Sequence, residues 1–127
     1  MSKSHQRNTI RRTRVEDYLY AIEELTKGKG LATTGEVAKV LGVANGTASS
    51  FLKLLAQGGL VDRHSYSGVA LTDVGVTRLN QMRLRLELLE KFLLSALKIT
   101  KSQAKLEAWY WEMVVSEELI AIIETAS

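Results

Sequence analysis

The chain has 127 residues, of which 46% are apolar and 24% charged, with a formal net charge of +3 and no cysteine. No apolar run approaches the roughly 18 residues that suggest a membrane span, and the basic, polar N-terminus lacks the apolar segment of a secretory signal. Without cysteine there is neither a disulfide nor a thiolate metal site, so the expectation is one compact domain or two small modules in the cytoplasm.

The charge is unevenly placed. Residues 1–72 carry ten Lys/Arg against six Asp/Glu, whereas residues 73–127 carry seven against eight. A basic head joined to a near-neutral, Leu-rich body suits a polyanion-binding module on a self-associating one. Residues 1–12 read as a basic flexible arm. Thr13 and Glu16 have capping-box spacing, and Val15, Tyr18, Leu19, Ile22 and Leu25 recur with helical period, so residues 14–27 form a first helix ended by Gly28 and Gly30. Thr33 and Glu36 repeat the capping pattern before a short second helix that Gly42 stops. Asn45 is the expected N-cap of a third helix running to about Gln57, with Phe51, Leu52 and Leu55 turned inward. Leu60 to His64 and Gly68 to Thr72 alternate around Ser65-Tyr66-Ser67, the pattern of a hairpin. Thr72-Asp73 then opens a helix to about Lys98. Its roughly 25 residues, at 1.5 Å each, span about 37 Å. Thr100 with Gln103 starts the next helix, whose inward face is expected at Leu106, Trp109, Tyr110, Met113 and Val114. Ser116 caps a last one that buries Leu119, Ile120 and Ile123.

Two short helices, a turn, a third helix and a basic hairpin form a winged helix-turn-helix, which lays its third helix in the major groove. The start of that helix is small and polar: Asn45, Gly46, Thr47, Ser49 and Ser50 suit base edges, and Lys53, one turn on, suits a phosphate. Arg63, His64 and Tyr66 in the hairpin, and Arg11, Arg12 and Arg14 before the first helix, complete the expected DNA contacts. The bland reading makes the same hydroxyls a solvated helix face. There is no Ser/Cys-His pairing or phosphate-cradling loop, and the Glu87–Glu90 pair reads as a solvated surface, so an enzyme is not expected. Phe92, Leu93, Leu97, Trp109 and Met113 are more large apolar groups than a small appendage hides, which points to a homodimer on a pseudo-palindromic site. The fold class is therefore mostly α: a winged-helix domain over residues 13–72 and a linker helix with a helical dimerisation domain over 73–127.

Val15-Glu16-Asp17-Tyr18-Leu19, Glu36-Val37-Ala38, Gly59-Leu60-Val61, Gly68-Val69-Ala70-Leu71-Thr72 and Leu88-Leu89-Glu90-Lys91-Phe92-Leu93 together resemble the diphtheria toxin repressor / manganese transport regulator family. The similarity runs from about Val15 to Glu124. It implies a winged-helix DNA-binding domain, a helical dimerisation domain and repression switched by manganese or ferrous iron, in the short, two-domain branch. Two of the six ligand positions that the resemblance implies are kept, Asp17 and Glu107; the others hold Tyr20, Leu86, Tyr110 and Trp111. Two carboxylates without imidazole make a poor transition-metal site. The expectation is therefore a repressor without a metal cofactor, its former site packed with apolar and aromatic groups. A small organic effector is one alternative, and a weak manganese or iron site using Asp17, Glu107 and either Glu112 or a tyrosine is another. A protein-interaction module that has lost DNA binding is a third. Members of the family it resembles often place a proline near the start of the recognition helix, where this chain has Asn45-Gly46.

Overall fold

The computed structural model describes residues 13–27, 30–64 and 67–126. Among them are six helices and one two-stranded sheet: α1 Val15–Thr26, α2 Thr34–Leu41, α3 Asn45–Gln57, β1 Val61–His64, β2 Gly68–Leu71, α4 Asp73–Ala96, α5 Lys101–Val114 and α6 Glu117–Ala126. Contacts divide the chain into two units whose sequence boundary falls inside α4, between Leu79 and Asn80.

In the first unit, the apolar stripes of the three short helices bury Tyr18, Leu19, Ile22, Val37, Ala38, Ala48, Leu52 and Leu55, with Val61, Val69 and Leu79 closing the core. Tyr18 and Phe51 stack face to face, 4.3 Å between centroids and 3° between planes, which fixes α3 across α1. Burial raises the Tyr18 hydroxyl above its ordinary pKa. The strands pair antiparallel, Val61 with Leu71 and His64 with Gly68. A bridge between Ala32 and Val69, with N–H···O distances of 2.9 and 2.8 Å, ties the hairpin to the segment before α2.

Local capping signals explain most helix starts. The Thr33 hydroxyl accepts from Glu36 N at 3.1 Å while the Glu36 carboxylate accepts from Thr33 N at 2.9 Å. Thr100 and Gln103 repeat this reciprocal pair at α5, and Ser116 Oγ accepts from Leu119 N at α6. Two expected caps are corrected. At α1 the N-cap is Arg14, whose N–H donates to Asp17 Oδ2 at 2.8 Å, so Asp17 rather than Glu16 closes the turn. At α3 the N-cap is Ala44, one residue before the expected Asn45, and no side chain caps it. Thr72 caps α4: its hydroxyl accepts from Gly75 N at 3.1 Å and donates to the Gly59 carbonyl at 2.6 Å. The expected stop at Gly28 lies outside the described residues.

Glu16 is free of the cap because it joins α1 to α4 instead. Its carboxylate accepts from Arg78 Nε at 3.1 Å, with the Arg14 guanidinium 4.0 Å away. Burial alone pushes the carboxyl up, but a backbone hydrogen bond, Arg78 and Arg14 outweigh it and hold the pKa below the ordinary 4.5. A depressed folded pKa stabilises above the unfolded value and ceases to do so as pH falls through the folded one. Glu16→Gln is therefore expected to cost about 1 kcal/mol at pH 7, where Arg78 is half exposed and screened. The difference from the wild type should shrink as pH is lowered through and below the ordinary carboxylate range, as read from urea midpoints along that series.

In the second unit, Leu89, Leu93, Ala104, Ala108, Ile120 and Ile123 form the core, with Leu86, Leu88, Phe92, Ile99, Trp111 and Val115 against it. The inward face of α5 is Ala104, Ala108 and Glu112, not the larger side chains expected. Val114, expected inside, is 77% exposed, and Leu119 on α6 is exposed too. Alanine at every fourth residue admits close approach of a neighbouring helix, and the bulky groups flank that seam.

Candidate nucleic-acid interface

Helix α3 turns Ala48, Leu52 and Leu55 into the core, and that choice dictates what it presents outward. Asn45, Gly46, Thr47, Ser50 and Lys53 are all exposed, while Ser49 is half-buried. Four of the five exposed positions are small or uncharged, and a Cβ added at Gly46 would meet no atom within 4 Å. Glycine is thus not required there by packing, and the first turn of the helix carries the least bulk where a duplex would approach. Because the N-cap is Ala44, the first-turn N–H groups have no side-chain acceptor, unlike those of α2, α4, α5 and α6. These donors suit phosphate oxygens.

The exposed face also holds two residues that sequence reasoning missed, Leu54 and Gln57. They follow Thr47 and Ser50 at helical spacing, which was the available signal, but Leu54 is apolar and has no polar signature to mark it. It is 62% exposed. In the hairpin, Asp62, Arg63 and His64 are exposed on β1. Tyr66, Arg11 and Arg12 lie outside the described residues. Arg14 is placed differently from the expectation: it is half-buried, with its guanidinium 4.0 Å from both Glu16 and Asp17.

A family model described as the N-terminal DNA-binding domain of iron-dependent repressors matches residues 12–69. The transcriptional regulator MntR of Escherichia coli O157:H7 is 34% identical over 114 residues, which span 90% of this chain and 73% of that protein. The chain belongs to the iron- and manganese-dependent repressor family. Among solved structures, a manganese-dependent transcriptional repressor in complex with manganese is 34% identical with a TM-score of 0.70, covering 89% of this chain and 52% of that one. A hypothetical protein of Sulfolobus solfataricus shares the fold at 22% identity, with a TM-score of 0.77 over 87% and 84% of the two chains. Family membership makes this a DNA-binding transcriptional repressor by descent rather than an enzyme. It also agrees with the winged-helix, mostly helical class expected from the sequence.

The family's metal dependence makes the fit of the donors worth testing. Among the described residues, no three His, Cys, Asp or Glu groups gather where an ion would sit. Asp17 caps α1 through its carboxylate, and Glu107 is exposed on α5. Glu112, the further carboxylate considered, is held by Arg85: Nη2 donates to Oε2 at 2.8 Å, with the glutamate side chain 1% exposed. Leu86 and Trp111 pack on the apolar core of the second unit, Tyr110 is half-buried, and Tyr20 is exposed on α1. This donor set does not fit a manganese or iron ion, which needs several oxygen or imidazole ligands converging. Two grooves in the second unit, of about 290 and 320 Å³, are lined by α4 and α6 residues such as Leu84, Lys91 and Ile123, and neither includes Tyr110 or Trp111.

Proposed function

We propose that the chain is a sequence-specific DNA-binding repressor that acts as a homodimer and does not use manganese or iron to switch on DNA binding. The observation that carries DNA reading is the outward face of α3, exposed from Asn45 to Gln57 and slim at its uncapped start. Asn45, Thr47 and Ser50 meet base edges, Lys53 meets a phosphate, and Leu54 lies against thymine methyl groups or deoxyribose. Arg63 and His64 add backbone contacts from the hairpin.

The dimer is supported by apolar surface that the second unit does not cover. Leu84 and Leu94 on α4, Leu97 just after its end, Val114 on α5, and Leu119 and Ile122 on α6 are exposed. Leu97, expected at the interface, is 51% exposed, whereas Leu93, also expected there, is enclosed in the core of its own chain. Phe92, Trp109 and Met113 are half-buried. Scattered apolar side chains need no explanation, but six on three successive helices suit a self-complementary patch.

The test is selection of bound duplexes from a random-sequence DNA library, with sedimentation equilibrium of the protein at micromolar concentration. One enriched motif with two-fold symmetry and a dimeric mass are expected. A monomeric mass, or a library that stays unenriched, rejects the reading. Leu97→Asp should shift the dissociation constant upward by at least tenfold, since a charge on an apolar interface is left unpaired.

A further inference from the structure

Asn45 and Gly46 open α3, and they are the one Asn-Gly pair of the chain. An asparagine side chain carries an amide carbon within reach of the next residue's backbone nitrogen, and when that residue is glycine no side chain shields the approach. In a helix interior that nitrogen is tied to a carbonyl one turn back, which blocks the reaction. The first N–H groups of a helix are not so tied. With Ala44 as N-cap, the first intrahelical bond runs from Ala48 N to the Ala44 carbonyl at 3.0 Å, so the Gly46 amide lies ahead of it, and no side chain caps that end.

Space and conformation favour the approach. Asn45, Gly46 and Thr47 are exposed, and a Cβ built at Gly46 would meet nothing within 4 Å. Rotating ψ of Asn45 out of the helical range brings its side-chain amide over the Gly46 nitrogen, and the backbone bond this breaks is the one from Ala48 to Ala44. A single hydrogen bond, net of water, protects by about tenfold at most. Glycine in the first turn also resists helix more than any residue but proline. Asn80 offers the contrast: it lies inside α4, is followed by Gln81, and its Oδ1 accepts from Arg83 Nη1 at 3.2 Å.

We infer that Asn45-Gly46 is a self-modifying site: uncatalysed deamidation there places a carboxylate at the head of α3 and weakens its hold on DNA as the protein ages. The second half rests on the DNA-reading proposal above; the first half does not. The Gly46 nitrogen, having given its proton to hydroxide, bonds to the Asn45 side-chain amide carbon. The bond from that carbon to the amide nitrogen breaks, and the nitrogen takes a proton from water and leaves as ammonia. The five-membered imide takes up water, which breaks one ring C–N bond and leaves an aspartate or an isoaspartate, whose backbone is one methylene longer. Water enters, ammonia departs, and nothing is oxidised or reduced. The new negative charge suits the free helix, whose N-terminus carries positive partial charge, but opposes a phosphate backbone. Folding and binding therefore respond in opposite directions.

The test ages the purified full chain in mildly alkaline buffer at body temperature, natively and in urea, and follows tryptic segments by mass. Segment 40–53 holds Asn45 and segment 79–83 holds Asn80. Segment 40–53 should gain about one dalton, with isoaspartate detected by enzymatic methylation, at a native rate no more than about tenfold below the rate in urea. Natively, segment 79–83 should keep its mass over the same time, and Gly46→Ala should slow conversion at Asn45 by at least about tenfold. Converted protein, separated from fresh by ion exchange, should bind the selected duplex at least about tenfold more weakly by fluorescence anisotropy. Asn45→Asp should show the same loss of affinity and melt no lower than the wild type.

Native conversion slower than about a tenth of the urea rate overturns the inference. So does a Gly46→Ala variant that converts as fast as the wild type, or a converted fraction that binds with undiminished affinity. Fresh protein that binds no duplex while Asn45 still converts rejects the DNA-reading proposal and leaves the modification standing. Tight binding by aged protein whose segment 40–53 has kept its mass rejects this inference alone.

Discussion

Gly75→Ala is expected to unfold the first unit at room temperature or leave it melting at least about 15 °C lower, a loss on the order of 4 kcal/mol or more. Gly75 lies in the first turn of α4, and a Cβ built on it would collide with the carbonyl oxygen of Leu60, closer than real Cβ atoms come to any atom. The obstacle is backbone and cannot swing aside. Nor can the helix back away, because the neighbouring Thr72 N–H donates to the same Leu60 carbonyl at 3.1 Å and the Thr72 hydroxyl bonds Gly59 and Gly75. In an ordinary helix interior the same change would stabilise by up to about 1 kcal/mol. The sign of the effect therefore separates close packing from helix propensity, and differential scanning calorimetry of the variant decides it. A midpoint equal to or above that of the wild type would mean that α4 begins farther from Leu60 than described.

Lys53→Glu should leave folding intact and weaken operator binding by roughly 100-fold for a dimer that contributes two such side chains. Lys53 is exposed on α3 and points away from the core formed by Leu52 and Leu55. A phosphate contact is electrostatic and sequence-blind, so the variant should lose affinity for operator and for random duplex alike. Plotted against salt, log K should flatten by about 2, since each phosphate neutralised contributes about 0.9 to the slope. Thr47→Ala, by contrast, should relax preference at one base step and leave the slope unchanged. Fluorescence anisotropy on the selected motif at several salt concentrations measures both. An unchanged slope for Lys53→Glu would move the contact elsewhere on the domain.

What could be read from the sequence was whatever depends on neighbours a few residues apart. The Thr33–Glu36 and Thr100–Gln103 boxes, the Ser116 cap, the pairing of the strands Val61–His64 and Gly68–Leu71 and the extent of the long helix are local, and the structure places all of them close to where they were expected. What depends on a distant partner was illegible. Gly75 looks like a helix weakness until the Leu60 carbonyl is seen beside it. Glu112 looks like a spare ligand until Arg85 is found on it, 27 residues earlier. The face of α5 was misjudged for a different reason: hydrophobic periodicity weighs large side chains, whereas the seam uses Ala104 and Ala108. Asp17 and Glu16 exchanged roles because the cap moved from Thr13 to Arg14, a shift of one residue within the usual uncertainty of helix ends. On the face proposed to meet DNA, composition pointed to Thr47, Ser50 and Lys53, but an apolar Leu54 in their row carries no polar signature to find it by.

The Thr72 hydroxyl has a mechanical consequence. It sits where α3 leaves off, where the second strand ends and where the long helix begins, holding the Gly59 carbonyl on one side and the Gly75 amide on the other. Three elements thus pivot on a single oxygen atom. A tilt at the root of the long helix would be passed to the tail of α3 through these two bonds, so replacing that threonine with valine should loosen the junction without emptying the core.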